Sequence, residues 1–414
     1  MKLLIIFFTL IFFSLDFFSH GSVGPGSEED NPERSIKFPD TENYKTLVSD
    51  LHTHSVFSDG HVWPNIRVTE ALKDGVDVLA ITEHLEYQPH LEDIPHEDRN
   101  KAFLEALEAA KGNEILVING SEITREMPPG HINAVFIKDA NKLINIDKSK
   151  EKEAQEEIEK RLDQLQGRDR KAINFFALAN MWPVERAVEE ANNQGAFVFW
   201  NHPFWESQKK DGIAELTTMH KMFIEKGQLH GIEVVNGDWY SEEAFKIAID
   251  NNLTLIGTSD VHNLIDWDYS PHKGGHRPVT LIFSDSKDPN DVKEALMDRR
   301  TVIWFKNSLF GLKKNMDPLL KASLSIGSAS YISDTDILGI TLVNDSDVKF
   351  LLQSKSDFTY TNTEDLIEVP PQSSKYLEVK TITRLSSVEL NFEVMNALIS
   401  PKIYANINLQ KQIR

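Results

Sequence analysis

Short apolar runs and helical periods alternate along the chain from about residue 46 to about residue 315. The runs "VDVLAITEH" and "AFVFWNHP" have the length and composition of buried strands, while "DRNKAFLEALEAAKGN" places apolar residues at helical spacing. "PNIRVTEALKDG" is also typical of a helix, with a proline in its first turn and a glycine after its end. Parallel strands need long crossover connections, which are usually helices. The alternation therefore predicts an α/β domain built from parallel strands.

The pattern changes near Asn315. From Asp317 onward the long helical periods disappear, and short runs such as "DILGITLVN" and "SVELNFEVMN" alternate with turn residues. Residues 316–414 are therefore predicted to form a β-sandwich, after a first domain over residues 46–315. The second segment contains no histidine and no evident catalytic cluster. We expect it to have a structural role or to support a homo-oligomer.

The N-terminus has the layout of a secretory signal. Lys2 precedes the apolar run "LLIIFFTLIFF", and small residues follow near Ser19 to Ser22. The run is shorter than the roughly 20 residues needed to span a bilayer, and Asp16 interrupts it. A signal peptide over residues 1–21 and a flexible segment over 22–45 are expected, so that the protein is exported to the periplasm or secreted. Stable membrane anchoring, the alternative, is not expected.

Composition narrows the chemistry. The 414 residues carry a formal net charge of −20 and include no cysteine. Duplex nucleic acid would be repelled over most of such a surface, so no nucleic-acid partner is expected. Disulfides, thiolate metal sites and cysteine nucleophiles are excluded. Any metal must be bound by His, Asp or Glu.

Polar residues cluster at the ends of the predicted strands. In "DLHTHSVFSDG", His52 and His54 are two residues apart, so on a strand they share one face. His84, Glu122, His202, Asp260 and His262 also fall at or just after strand ends, whereas His131 opens a strand. The carboxyl ends of barrel strands meet at one rim, so these residues are expected to converge. Paired imidazoles with carboxylates indicate a divalent metal site.

The motifs "DLHTHSVFSDG", "ITEH", "GSE", "GHINAVF", "NHP" and "GTSDVH" together resemble those of the PHP superfamily of metal-dependent phosphoesterases. The stretches "GSEITREMPPGHINAVF" and "GGHRPVTLIF" are similar to exported PHP phosphodiesterases with a C-terminal β-domain. The resemblance implies a distorted (β/α)7 TIM-like barrel holding two to three divalent metal ions. Imidazole and carboxylate ligands suit Mn, Zn or Fe.

The resemblance also implies a ligand set. The first metal would be bound by His52, His54, Glu122 and Asp260; the second by Glu122, His131 and His202; and the third by Asp59, His84 and His262. Glu122 would bridge two metals, and Glu122 and Asp260 are the expected catalytic carboxylates. A hydroxide bridging two metals would attack the phosphorus of a phosphate ester.

Basic residues near the rim are candidates for binding the phosphate. Arg277, in "GGHRPV", is the first choice for a clamp on the phosphate oxygens, because a guanidinium binds two oxygens at once. Arg125 and Lys273 follow. His61 and His276 are candidates to contact substrate or to protonate the leaving group. The alternative for each is an ordinary surface cation or loop histidine.

The expected substrate is a phosphodiester of a small organic molecule. Two alternatives stay open at this point: a phosphomonoesterase similar to histidinol phosphatase, and a protein that binds a phosphorylated ligand without turnover. The metal ligands alone do not separate mono- from diesters. The aromatic residues Phe204, Trp205, Trp239 and Tyr240 could line a site for the second ester group, or could pack in the core.

Overall fold

The structure is a computed structural model that describes residues 34–159 and 170–413. The predicted signal peptide and the first part of the predicted flexible segment lie outside the described residues. Among the described residues, no helix has the length and apolar character needed to cross a membrane.

Eleven strands belong to the first part of the chain: β1 Lys45–Asp50, β2 Val78–Ile81, β3 Leu116–Ile123, β4 Ile132–Val135, β5 Phe197–Trp200, β6 Gly231–Asn236, β7 Trp239–Tyr240, β8 Thr254–Thr258, β9 Val279–Ser284, β10 Thr301–Phe305 and β11 Ser308–Gly311. The described helices are α1 Pro64–Lys73, α2 Lys101–Ala109, α3 Glu151–Glu159, α4 Arg170–Asn180, α5 Val184–Asn193, α6 Thr218–Glu225, α7 Glu242–Asp250, α8 Ile265–Asp268, α9 Pro289–Met297 and α10 Lys313–Ser323.

The strands form a mixed, distorted barrel, which confirms the predicted α/β fold. Strands β1, β2 and β3 are parallel, as are β5, β6 and β8. Side-chain hydrogen bonds close the sheet: Thr280 in β9 donates to Gly257 O at 2.8 Å, and Thr301 in β10 donates to Leu255 O at 2.9 Å. Leu47, Phe197 and other apolar side chains fill the interior, so the barrel is a packed support and not a pore.

The strands are not all parallel, contrary to the prediction from the alternation. Strand β4 runs antiparallel to β3 and β5, and β9 runs antiparallel to β1 and β10. Only a short loop separates β3 from β4, which is too short for a crossover helix. The reversal brings the beginning of β4 to the end of the barrel where the parallel strands finish.

The C-terminal part is an antiparallel β domain with eight strands: β12 Leu324–Tyr331, β13 Ile337–Asn344, β14 Phe350–Ser354, β15 Thr359–Tyr360, β16 Leu366–Val369, β17 Ser373–Lys380, β18 Ser387–Ser400 and β19 Ile403–Gln412. One sheet has the order β12-β13-β17-β15, and the other contains β16, β14, β18 and β19. Along β18, Val388, Leu390 and Phe392 are buried between exposed polar residues, the alternation expected of a sandwich strand.

The two parts share a sheet edge. Strand β18 pairs in parallel with β11, with Leu309 opposite Ala397 and Phe310 opposite Leu398. The prediction that helical structure ends by Asp317 is wrong, because α10 continues to Ser323. Pro318 lies inside this helix and makes its sequence look unlike a helix. Met316, Leu319 and Leu320 are nevertheless fully buried, and their packing holds the helix in place. The boundary predicted at residues 315/316 falls inside this helix.

Candidate metal centre

The structure brings all nine predicted ligands together at one end of the barrel. Each has a side-chain nitrogen or oxygen within 3.4 Å of another member of the set. The set, called the nine-residue cluster below, consists of His52, His54, Asp59, His84, Glu122, His131, His202, Asp260 and His262. His131 joins it because β4 begins at this end of the barrel.

His52 and His54 follow directly after β1 and lie side by side, as their spacing predicts. Their Nε2 atoms are 3.0 Å apart, and each is 3.1 Å from Oδ1 of Asp260. Asp260 follows β8 and adopts a φ of +50°. A non-glycine residue in this left-handed region is uncommon and is typical of functional sites.

Glu122, near the end of β3, lies at the centre of the cluster. Its carboxylate is 2.5 Å from His84 Nδ1, 2.9 Å from His131 Nδ1 and 3.4 Å from His202 Nε2. His52 and His54 lie 3.5 and 3.7 Å away. Five imidazoles therefore surround one fully buried carboxylate, the arrangement that a bridging ligand requires.

A second group lies on the more exposed side of the cluster. Oδ1 of Asp59 is 3.1 Å from His262 Nε2 and 3.3 Å from His84 Nε2. The ring of His54 stacks between His84 and His262, with centroid separations of 4.5 and 4.4 Å. The side chains of Asp59 and His262 are 26% and 32% exposed, whereas that of Glu122 is 1% exposed. The cluster is therefore open to a substrate at the Asp59–His262 side.

The geometry divides the cluster differently from the resemblance. Three groups have ligand atoms close enough to hold one ion each: His54, Asp59, His84 and His262; His52, His54 and Glu122; and His84, Glu122 and His131. His54 and His84 thus each belong to two groups, whereas the resemblance gives each of them to one metal.

The electrostatics of the cluster are dominated by burial and by mutual contacts. Burial disfavours the imidazolium of His52, but the carboxylates of Asp260, Glu233 and Glu122 outweigh it and raise the pKa to about 10. Burial together with the neighbouring His262 and His84 lowers the pKa of His54 to about 3. Burial opposes ionisation of Glu122, yet the surrounding histidines hold the pKa of this carboxyl well below its usual range. Without metal, the raised and lowered pKa values thus favour an ionised Glu122 beside a protonated His52 and a neutral His54.

The residues fit bound cations on structural grounds. Within the described part of the chain, Asp59 Oδ1, Glu122 Oε2, Asp260 Oδ1 and His202 Nδ1 are buried and make no well-aligned hydrogen bond, although imidazole nitrogens lie close to the three carboxylate oxygens. Buried polar atoms are normally hydrogen-bonded, and leaving one unsatisfied costs about 1–3 kcal/mol. Carboxylate oxygens and imidazole nitrogens that converge without well-aligned hydrogen bonds are the donor set of a divalent metal.

The structure contradicts the predicted position of Arg277. Arg277 lies just before β9, and its side chain is only 1% exposed. It donates to Asp74 Oδ2 at 3.0 and 2.5 Å and to Asp50 Oδ2 at 3.1 Å. The prediction of a phosphate clamp at the rim is therefore wrong, because two buried carboxylates already occupy the guanidinium.

Arg125 is also paired. It is 2.6 Å from Glu86 Oε1, and it donates to Trp182 O at 3.0 Å and to Asn180 Oδ1 at 3.1 Å. These contacts leave little of the guanidinium for a phosphate, so a clamp role for Arg125 is not supported.

His276 does not contact the cluster. Its ring stacks on Trp304 at 3.5 Å, and burial lowers its pKa to about 4. A histidine that is neutral near pH 7 is a poor proton donor, so the predicted role for His276 is not supported. His61 and Lys273 are exposed. His61 lies beside the open side, with its backbone N–H donating to His262 O at 2.8 Å, and its role and that of Lys273 stay predictions.

Several residues that support the cluster were not predicted. Glu233 in β6 accepts from His52, Asn201 donates to Glu122 Oε1 at 2.8 Å, and the hydroxyl of Thr124 is 2.7 Å from His84 Nδ1. The one sequence signal was the acidic residue inside the apolar run "GIEVVNG". Such a residue must have buried hydrogen-bond donors around it.

Comparison with known proteins agrees with this site. The profile of the PHP domain family matches residues 50–174, and that of an Ig-like domain matches residues 324–410. The chain is 34% identical to a two-domain protein from Bacteroides vulgatus ATCC 8482, whose crystal structure contains a predicted PHP-like metal-dependent phosphoesterase. The match covers 91% of this chain and 98% of that one, with a TM-score of 0.76. The chain therefore belongs to the PHP-like metal-dependent phosphoesterase family.

More distant structures add no detail. A candidate metal-dependent phosphoesterase from Bifidobacterium adolescentis ATCC 15703 is 20% identical over 52% of this chain and 87% of its own, with a TM-score of 0.36. An amidohydrolase from Chromobacterium violaceum is 19% identical over the same shares, with a TM-score of 0.37. No curated protein matches the sequence.

Proposed function

We propose that the protein hydrolyses phosphodiesters of small organic molecules, using two or three divalent ions of Mn, Zn or Fe bound by the nine-residue cluster. The observation that carries this proposal is the convergence of five imidazoles on the buried carboxylate of Glu122, with ligand atoms around it that make no well-aligned hydrogen bond. A non-catalytic binding protein would not need so many buried ligands that share one carboxylate. The family is one of hydrolases, which favours turnover.

The roles of the residues follow from their positions. Bound divalent ions supply Lewis acidity and a water of lowered pKa. Glu122 would hold two ions at a set separation, since its two oxygens contact different histidines. Asp260 lies between His52 and His54 and balances positive charge next to the open side. The phosphate would enter beside Asp59 and His262, where the cluster is exposed.

Two observations favour a diester over a monoester. A monoester carries more negative charge, yet the arginines expected to compensate it, Arg277 and Arg125, are paired with carboxylates. Trp205 is 45% exposed and packs edge-on against His131 and His202, with centroid separations of 5.6 and 5.2 Å. This indole offers an apolar surface to a second ester group directly beside the cluster.

The proposal extends to the setting of the protein. The acidic surface and the N-terminal signal pattern support an exported enzyme that acts on a diffusible ester. The nucleic-acid and membrane partners that the sequence argues against are not part of this proposal. A homo-oligomer stays a prediction.

The test compares two esters and two variants. Protein purified without chelators is assayed for metal content and for hydrolysis of bis(p-nitrophenyl) phosphate and p-nitrophenyl phosphate with added Mn²⁺, Zn²⁺ or Fe²⁺. We expect bound metal and a higher kcat/KM for the diester. His54→Ala should abolish both activities, whereas His230→Gln, which changes a histidine outside the cluster whose ring bonds to backbone groups of Val198 and Gly227, should not. A higher kcat/KM for the monoester would identify a phosphomonoesterase, and bound metal without turnover of either would favour a binding protein.

A further inference from the structure

Glu233 is a fully buried carboxylate in the middle of β6, outside the nine-residue cluster. Four donors surround it. Oε1 accepts from His52 Nδ1 at 2.8 Å and from Thr258 Oγ1 at 2.7 Å, and Oε2 accepts from the backbone N–H of His202 at 2.7 Å and from Asn236 Nδ2 at 2.9 Å. A buried carboxyl group with four hydrogen bonds has a specific structural task, because burying this polar group without them would be costly.

The bond to His52 selects the ring nitrogen that faces the cluster. With Nδ1 donating to Glu233, Nε2 is left to face Asp260 at 3.1 Å and Glu122 at 3.5 Å. Histidines that bind metals generally donate their other ring N–H to a carboxylate or a carbonyl, which fixes the tautomer and the ring orientation. Glu233 occupies this position behind His52.

The same carboxylate reaches two other members of the cluster. It accepts from the backbone of His202, whose φ of +25° is unusual for a non-glycine residue, so this bond helps to hold a strained backbone. It also accepts from Asn236, whose Nδ2 lies 3.2 Å from Asp260 Oδ2. One side chain therefore controls the placement of three ligands that follow three different strands.

We propose that Glu233 is a positioning residue for the ion bound by His52 and Asp260, and that it has little influence on the ion bound by Asp59, His84 and His262. Among the described residues, the contacts of Glu233 include none of those three. The supporting contact of His84 is instead the hydroxyl of Thr124 at 2.7 Å. This inference rests on the proposed metal centre, and it predicts that one ion is weakened selectively.

The test is Glu233→Gln. In the wild-type protein, four groups donate hydrogen bonds to Glu233. A glutamine side chain would offer them only one acceptor oxygen, together with an NH₂ group that is itself a donor. Either the His52 ring must change tautomer, which places a proton on the nitrogen that faces the metal, or the N–H of His202 loses its acceptor. We expect the affinity for one Co²⁺ or Zn²⁺ ion to fall on the order of 10- to 100-fold. The visible spectrum of the Co²⁺ protein should change for that ion, while the remaining ions keep wild-type affinity.

Asp347→Asn is the control. Asp347 is a half-buried carboxylate in the C-terminal domain that accepts from the backbone N–H of Lys37 at 2.7 Å and from Gln372 Nε2 at 3.0 Å, and neither partner belongs to or contacts the cluster. The control variant should lower the free energy of unfolding without changing the affinity of any ion or the Co²⁺ spectrum. Asn236→Ala is the second test variant, to be used if Glu233→Gln does not fold. It breaks the link to Asp260 and should weaken the same ion by a smaller factor.

The outcomes separate this inference from the proposed function. If the wild-type protein binds no divalent ion, the proposed metal centre itself is wrong. If wild-type protein binds its ions and Glu233→Gln binds all of them with unchanged affinity and spectrum, Glu233 does not position the ligands. Equal weakening of every ion would also overturn the inference, because a general loss of structure would explain it.

Discussion

Replacement of Arg277 by alanine should destabilise the fold and leave the metal cluster intact. The guanidinium is buried and makes three hydrogen bonds to Asp50 and Asp74. Removing one partner of a buried ion pair costs about 3–5 kcal/mol, since the remaining charge is left unpaired. Here Asp74 still accepts from Arg34 at 2.6 Å, and Asp50 still accepts from Ser259. We therefore expect the lower end of the range, about 3 kcal/mol.

The assay is urea unfolding of wild-type protein and Arg277→Ala at a fixed metal concentration, followed by circular dichroism. The metal content and kcat/KM of the folded variant should stay near those of wild type. Arg384→Ala is the control, because Arg384 is exposed and its ion pair with Asp336 is 3.9 Å long, so its loss should have little effect on stability. Arg277→Lys should recover part of the loss, because an ammonium restores the charge but not the forked geometry.

One result would refute this reasoning. Loss of a phosphate clamp is expected to lower kcat/KM by about 30- to 1,000-fold, which corresponds to roughly 2–4 kcal/mol of transition-state stabilisation. An Arg277→Ala variant with wild-type stability, full metal content and a decrease of this size would show that Arg277 contacts the substrate.

Three further predictions concern the cluster and its surroundings. Glu122→Gln should lower metal content and kcat more than any single His→Ala among the ligands, because one change removes a shared ligand and a negative charge; equal metal occupancy and turnover would remove Glu122 from the bridge. In metal-free protein the pKa values of His52 and His262 are raised to about 10 and about 9. The protonated form of each histidine therefore stabilises the fold. This stabilisation is fully present below pH 6.5, and it is lost as the pH rises through the raised pKa values. Metal binding must displace these protons, so calorimetry in buffers of different ionisation enthalpy should show proton release below pH 9 and tighter binding at higher pH; pH-independent affinity would contradict the raised pKa values. Trp205→Ala should raise KM for bis(p-nitrophenyl) phosphate several-fold with unchanged metal content, whereas an unchanged KM would exclude the indole from the substrate site.

Most positions of the cluster could be predicted because they depend on local sequence, whereas Asp59 was predicted only through the family resemblance. His52 and His54 share a face through the two-residue period of extended chain, and Asp260 and His262 follow a buried strand in the same way. In a barrel such strand ends meet at one rim whatever the details of the packing. The direction of β4 was not predictable from the alternation, although it is what brings His131 into the cluster.

The substrate residues were predicted less well, because the sequence around a basic residue in a turn does not indicate which group this residue will contact in the folded protein. Arg277 follows a Gly-Gly-His sequence that is typical of an exposed loop. Its partners, Asp50 and Asp74, are 227 and 203 residues away along the chain. Nothing local distinguishes such a buried ion pair from a free guanidinium at a rim.

The sequence by itself determined the α/β and β organisation, the absence of thiolate chemistry and the placement of seven of the nine cluster residues at strand ends. These features follow from composition and from periods of two and 3.6 residues. The tertiary structure alone decided which charges neutralise each other. The bond between His52 and Glu233 spans 181 residues, and it depends on how the fold brings a side chain of β6 to the residues that follow β1. A buried charge is stable only where packing supplies its partners, and that packing is a property of the whole fold.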